Sequence, residues 1–364
     1  MNLSILENLQ ISNSNIFFSM AILAGVSLAL LLLVMLIAGL GTYAERKISA
    51  DIQARIGPNR VGPLGLLQFI ADGIKMLLKE DLTPKDADKF LFYLAPLLAM
   101  LAVFAGIAVL PFSDSLILSN LNMGILYLVA ISSLVSVAIF LGGYASNSKW
   151  SLLGAMRGAA QMISFEIPVT FSILSVVILT GSLSFQKVVN FQGGLPHHWI
   201  IFHNPFTFLA FFVFFTGALA EANRAPFDLP EAESELVSGY HTEYSGMRFA
   251  FFALAEYMEV FILCAVSASL FLGGFQLPFQ LNEFKFLSQV LQVGVFLFKS
   301  FLLFYLVIWI RWTLPRLRVD QLMSVCWKYL TPISFFNLLG VCLWIIIFDG
   351  DSISQIIINL VKGK

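Results

Sequence analysis

Charge is what this 364-residue chain has least of: Asp, Glu, Lys and Arg make up 12% of it, about half the share of an ordinary soluble domain. A soluble globule of this size needs a polar surface, and so few charges do not cover one. Neither sign is in excess. The 21 basic and 22 acidic residues leave a net charge of −1, which excludes the basic footprint of a nucleic-acid binder. Cysteine is scarce too. Cys264, Cys326 and Cys342 are widely spaced and odd in number, which excludes a disulfide framework. The same three exclude a four-cysteine iron–sulfur cluster or zinc ribbon encoded by this chain alone.

What is present is apolar. Hydrophobic residues make up 59% of the chain and the mean hydropathy is +0.87, the reverse of a disordered composition and the mark of a chain solvated by lipid. Eight stretches are long enough to cross about 30 Å of hydrocarbon: 16–42, 89–112, 122–143, 157–181, 205–222, 248–273, 287–311 and 331–349, the fifth being short. The first has no basic n-region and runs well past a signal peptide's apolar core, so it reads as a retained helix. Loops 43–89, 143–157, 221–248 and 311–330 hold every basic residue except Lys187, Lys285, Lys299, Lys362 and Lys364. The positive-inside rule puts those four loops in the cytoplasm and both termini on the outer, periplasmic side. The expected fold is all-α and polytopic, with residues 1–364 as one transmembrane domain. No internal repeat supports a duplicated transporter fold.

Within the first loop, Leu66, Leu67, Ile70, Ile74, Leu77 and Leu78 share one helical face, while Gln68, Asp72, Lys75 and Lys79 share the other. The segment 64–80 is too short to span and reads as an amphipathic helix lying in the interface. It serves either as an anchor or as the wall of a lateral portal.

Intramembrane charge is costly, roughly 2.5–3.5 kcal/mol per residue on insertion scales, so each case calls for a reason. Glu166 lies inside the fourth span, just before Pro168. Glu256 and Glu259 lie inside the sixth at i and i+3, and Lys299 lies in the seventh. One such group can be explained by helix packing. Three carboxylates and a lysine favour a proton path. Residues 218–246 add Glu221, Asp228, Glu231, Glu233, Glu235 and Glu243 against Arg224, interleaved with Pro226, Phe227, Leu229, Pro230, Leu236 and Val237. That mixture predicts a structured acidic funnel or a docking surface. Arg46, Lys47, Arg55 and Arg60 in 41–63, and Arg311, Arg316 and Arg318 in 311–323, are topology anchors by default. Those flanking Pro315 are also placed to hold a carboxylate or a polar headgroup.

Other matches are incidental. Gly39 to Ala44 fits G-x-G-x-x-A but follows a membrane helix, so it is no dinucleotide site. Gly154 and Gly158 form a GxxxG that implies close packing. His197, His198 and His203 lack metal-like spacing to a Cys or carboxylate. His241 sits in the acidic stretch without an assigned role.

Taken together, AERK, GPNRVGPLGLLQ, ADGIK, GAMRGAAQMISFEIP, LAEANRAPFDLPEAESELVSGYHTEYSG, MRFAFFALAEYMEV, FKSFLLF and WIRWTLPRLRVDQLM resemble one family. It is the H subunit of NADH-quinone oxidoreductase, called subunit 1 of NADH dehydrogenase in mitochondria. The resemblance runs from about Tyr43 to Leu330. It implies the membrane subunit of respiratory complex I, and the chain length favours a bacterial inner membrane over the mitochondrial one. Quinone would be the substrate, while NAD, flavin and iron–sulfur clusters would stay in partner subunits. The implied partners are the peripheral-arm quinone-site and iron–sulfur subunits, small membrane subunits and antiporter-like subunits. Glu45, Arg46, Asp72, Arg224, Asp228, Arg316 and Arg318 would belong to the quinone channel. Glu166, Glu221, Glu231, Glu233, Glu235, Glu256 and Lys299 would belong to the proton path. Glu259 is not a position that the resemblance marks as an acid. Three other readings compete: the homologous subunit of a membrane-bound hydrogenase or formate hydrogenlyase, a stand-alone ion transporter, and a passive membrane anchor.

Overall fold

A proline, an asparagine or a turn residue with positive φ starts or stops most of the helices, and those stops determine where the charged residues lie. The computed structural model describes residues 16–230, 233–279, 285–348 and 352, without the side chains of 16–24, 233–234 and 285. Among these residues the regular structure is entirely helical. The main helices are α1 Ile16–Ile52, α2 Gln68–Leu78, α3 Lys89–Val109, α4 Gly124–Ala145, α5 Lys149–Thr180, α6 Phe185–Phe191, α7 Pro205–Glu221, α8 Gly246–Phe271 and α9 Lys285–Thr313. The last, α10, runs over Val319–Phe348 and contains a π-helical turn at Val325–Leu330.

Seven of these helices (α1, α3, α4, α5, α8, α9 and α10) are long and apolar enough to cross a membrane. The chain is a multi-pass membrane protein. The fifth expected span, α7, falls short. Asn204 and Thr207 form a capping box with Pro205 in the first turn, and Asn223 at φ 50° closes the other end. The 17 residues between reach only about 26 Å.

Elsewhere the helices outrun the expected spans. Nothing in YAERKISADI breaks a helix, so α1 continues to Ile52 and carries Glu45 and Arg46 on its last turns. The amphipathic segment begins later than its apolar pattern predicts. Leu64 has φ 56°, which a right-handed helix forbids, so Pro63–Gly65 forms a short 3₁₀ turn and the α-helix starts at Gln68. None of the residues of α2 is buried, and Ile70, Ile74, Leu77 and Leu78 lie exposed. Gly39 brings this helix against α1: a Cβ there would stand 2.5 Å from the Phe69 ring. The glycines that mimic a nucleotide loop therefore serve packing.

The hub is α8, which packs against α1, α2, α3, α7 and α9, and every residue from Met258 to Phe271 is buried. Apart from Glu259, Ser267 and Ser269 that stretch is apolar on all sides and has no solvent face to keep. Around it, α3 packs on α4, α4 on α5, and α5 on both α7 and α10. Pro168 does not break α5. It removes the N–H that would reach the Ser164 carbonyl, and the Cys326 thiol of α10 donates there instead, at 3.1 Å. Replacing Cys326 with Ala is expected to cost roughly 1 kcal/mol, the net worth of a hydrogen bond. It would be read as a small loss of thermal stability in the solubilised protein, with Cys326→Ser retaining most of it.

Candidate functional site

The four basic loops meet at one end of the bundle. The Asp88 amide donates to the Ala145 carbonyl at 3.1 Å and that of Leu317 to Pro226 at 3.0 Å, while Ser151 Oγ donates to the Tyr240 carbonyl at 3.3 Å. Ser245 accepts from the Leu82 amide at 3.0 Å and donates to the Glu80 carbonyl at 3.1 Å. Arg248 lies 2.8 Å from Asp81 and stacks on Tyr93, completing the clasp between the segment after α2 and the start of α8.

The turn after α7 pushes Arg224 into the core, where it is 4% exposed. Its Nε lies 3.1 Å from Glu256 of α8 and its Nη1 3.6 Å from Glu45 of α1, and the guanidinium stacks 4.3 Å from the centre of the Tyr257 ring. Arg311, from the last turn of α9, stands 2.7 Å from the other oxygen of Glu45. Two carboxylates and two guanidiniums thus balance, with Glu45 and Arg224 buried and Glu256 and Arg311 partly exposed. Buried charge survives only with such pairing.

Residues 225–230 and 233–244 fold back over α5 as a structured loop. The Gln161 amide donates to the carbonyls of Ala220 at 2.8 Å and Phe227 at 2.6 Å, pinning the loop to the helix. Asp228 is buried and holds Arg316 at 3.0 Å, and Glu235 at the rim pairs with Arg157 at 2.6 Å. Gly154 and Gly158 lie under the loop, Gly154 against the backbone of Pro230, Gly239 and Tyr240, and Gly158 against the Pro230 ring and Ile139 of α4. Burial pushes the Tyr244 phenol up from its ordinary range. It remains a donor, 3.4 Å from the carbonyls of both Phe92 and Gly142. His241 is buried among Tyr240, Phe249 and Phe252.

Deeper in the bundle, Glu166 of α5, Glu221 of α7 and Glu259 of α8 line one small cavity with Ser132, Ser133 and Ser136 of α4. Its volume is about 10 Å³, room for about one water. Carboxyls that share a water-sized space with hydroxyls can exchange protons without a cation.

The expected residues therefore divide into groups. Glu45, Arg224 and Glu256 meet in the charge network, and Glu166 and Glu221 meet in the cavity. Asp228 pairs with Arg316, and Arg46 with Asp72, across α1 and α2. Arg318 and Arg60 are exposed, and Arg55 donates to Gln53. Lys299 stands apart. Its Nζ donates to the carbonyls of Leu272 at 2.7 Å and Gly274 at 3.0 Å, capping the far end of α8 over Trp199. That end is about 20 Å along the helix from Glu259. Glu231 and the side chain of Glu233 lie outside the described residues. Sequence reasoning left Arg311 among the topology anchors and missed Tyr257, Gln161 and the serines of α4. The last had a signal: Ser132, Ser133 and Ser136 are polar residues clustered in an otherwise apolar span.

An apolar cleft of about 500 Å³ runs along α1 from Val26 to Leu40, closed by Phe112, Leu297 and Phe301. It has room for a hydrocarbon chain and ends little more than a turn short of Glu45. Among the described residues no group of three or more His, Cys, Asp or Glu is placed to hold a metal ion.

A family model described as NADH dehydrogenase matches residues 25–342. The NADH-quinone oxidoreductase H subunit of Anaeromyxobacter dehalogenans is 46% identical over 322 residues, covering 85% of this chain and 78% of the relative. The H subunit of Dehalococcoides mccartyi strain CBDB1 is 50% identical over 296 residues, covering 81% and 79%. That of Geobacillus sp. strain WCH70 is 47% identical over 321 residues, covering 88% and 93%. With both the family model and these relatives spanning most of its length, the chain belongs to the family of NADH-quinone oxidoreductase H subunits.

Proposed function

We propose that this chain is the membrane subunit in which quinone reduction is converted into proton movement. As a member of its family it is a subunit of an NADH-quinone oxidoreductase, and it acts within that enzyme complex. One observation carries the finer reading. A single helix, α8, holds Glu256 in the Arg224 network and lines the Glu166–Glu221 cavity three residues further on.

Quinone takes up two electrons and two protons when it becomes quinol. Its isoprenoid tail lies in the apolar cleft along α1, and its headgroup comes close to Glu45, Arg46 and Asp72. Charge arriving there competes for Arg224 and Arg311. A guanidinium drawn toward Glu45 loosens its hold on Glu256, and a carboxylate that loses its cation takes up a proton. The proton then passes through the cavity of Glu166 and Glu221. Asp228 with Arg316, Arg318, and the outer acids Glu231, Glu233 and Glu235 shape the loop above. The stabilising cap at Lys299 lies at the opposite end, where it holds α8 and α9 in register.

The remaining features follow the same reading. The shorter α7 is an eighth span, both termini face the periplasm, and the membrane is the bacterial inner membrane. The four joined loops dock onto the peripheral-arm subunits that carry flavin and iron–sulfur clusters. Small membrane subunits and antiporter-like subunits lie alongside. The names of the relatives support this reading over a hydrogenase component or an independent transporter.

The test is Glu166→Gln or Glu221→Gln in the assembled complex. Each is expected to lower coupled quinone reduction on the order of tenfold, below the full effect of deleting a proton-transfer group because its neighbours remain. Normal turnover with a normal proton-to-electron ratio in both variants would sink the reading.

A further inference from the structure

The acid that the family resemblance leaves without a role is the best placed of all. Glu259 is 6% exposed, and its carboxyl makes no hydrogen bond or ion pair among the described residues. It is not buried against hydrocarbon on all sides. It lines the cavity shared with Glu166 and Glu221, and it also lines a second cavity of about 30 Å³ between α3, α4 and α8. Ala102, Val103, Gly106, Leu128 and Ile262 form half of that second wall, and Ser132 borders both spaces. A buried carboxyl without a donor is costly. A residue serving only packing would be better apolar at this position.

We infer that Glu259 is a proton-carrying residue joining the Glu166–Glu221 cavity to the space between α3, α4 and α8. The inference rests on the proton path proposed above and extends it by one site. In the step, the Glu221 carboxyl gives its proton to the cavity water while that water gives one to the Glu259 carboxylate. One O–H bond breaks on Glu221 and one forms on Glu259, with no change in oxidation state. From there Glu259 and Ser132 supply the polar partners that a water in the second cavity needs. Glu256, one turn earlier, cannot take this place because it is held by Arg224.

The experiment uses the assembled complex in proteoliposomes, carrying Glu259→Gln, Glu259→Asp or Glu221→Gln in this chain. Glu259→Gln keeps the shape and removes the titratable proton. It is expected to lower coupled turnover roughly tenfold, while Glu259→Asp restores at least half. Mass spectrometry of the wild-type complex treated with dicyclohexylcarbodiimide, which modifies protonated carboxyls in apolar surroundings, is expected to show an adduct on Glu259. This readout does not depend on any variant assembling. The inference is overturned if Glu259→Gln pumps and turns over like wild type while Glu221→Gln is impaired. It is overturned equally if Glu221 is labelled and Glu259 is not. Wild-type behaviour in both Gln variants would instead bring down the proton path as a whole.

Discussion

Replacing Arg224 with methionine is expected to remove most of the folded chain from the membrane. The substitution keeps much of the side-chain volume and deletes the charge that Glu45 and Glu256 share. Arg311 still reaches Glu45, but Glu256 loses the cation that lies 3.1 Å away. Breaking a buried pair by removing one partner costs about 3–5 kcal/mol, a large part of the roughly 5–15 kcal/mol that holds a typical protein folded. The measurement is the amount of this chain in membranes, by quantitative mass spectrometry, together with quinone-reductase activity. Arg224→Lys is expected to be intermediate, because a single ammonium cannot divide itself between two carboxylates as the planar fork does. The double variant Arg224→Met with Glu256→Gln discriminates further. If the cost comes from the stranded carboxylate, the second change restores part of the abundance lost in the first. A single Arg224→Met variant that accumulates and turns over normally would show that the network contributes nothing.

Gly154→Val carries the second large effect, for a steric reason. A Cβ at this position would lie 2.9 Å from the Gly239 Cα, 3.0 Å from the Pro230 carbonyl oxygen and 3.0 Å from the Tyr240 amide nitrogen. All three are backbone atoms, so no side chain can rotate away. Either α5 moves or the loop lifts off it. Overpacking of this kind costs typically about 1–3 kcal/mol and sometimes more. The lifted loop carries Asp228 away from Arg316 and strips the Gln161 amide of its carbonyl partners. The expected result is rapid proteolytic cleavage between residues 225 and 245 with a parallel fall in activity. Gly25→Val is the matched control, since nothing lies within 4 Å of a Cβ there. Equal protease resistance in the two variants would contradict the packing argument.

Much of the fold was legible in the chain itself, because solvation by lipid is a property of composition and can be read along one dimension. The positions of the spans, the gathering of four basic loops and the existence of the amphipathic helix α2 all follow from runs of apolar residues and the placing of a few charges. Errors fell at the ends. The extra turns of α1 and the late start of α2 depend on backbone angles and capping that hydropathy does not register. The reduced length of α7 has the same origin, in Pro205 and Asn223. The motifs also identified the family, and with it the residues worth examining.

Tertiary structure alone decided how those residues are partnered. Glu256 and Glu259 look equivalent in sequence, three positions apart on one side of a helix. Three residues of helix rotation still leave two side chains about 60° apart around the axis. In a hub packed on every side, that angle turns one carboxyl toward Arg224 and the other into the cavity of Glu166 and Glu221. Lys299 shows the same limit, since its span contains no mark of which end of α8 it meets. Arg311, which reads as a topology anchor, lies beside Glu45 only because α9 packs against α1. The sequence determined that this chain carries a few costly charges through lipid. Which of them neutralise one another and which are left facing water was decided by helix rotation and contacts between distant segments, because electrostatic pairing depends on distance in space.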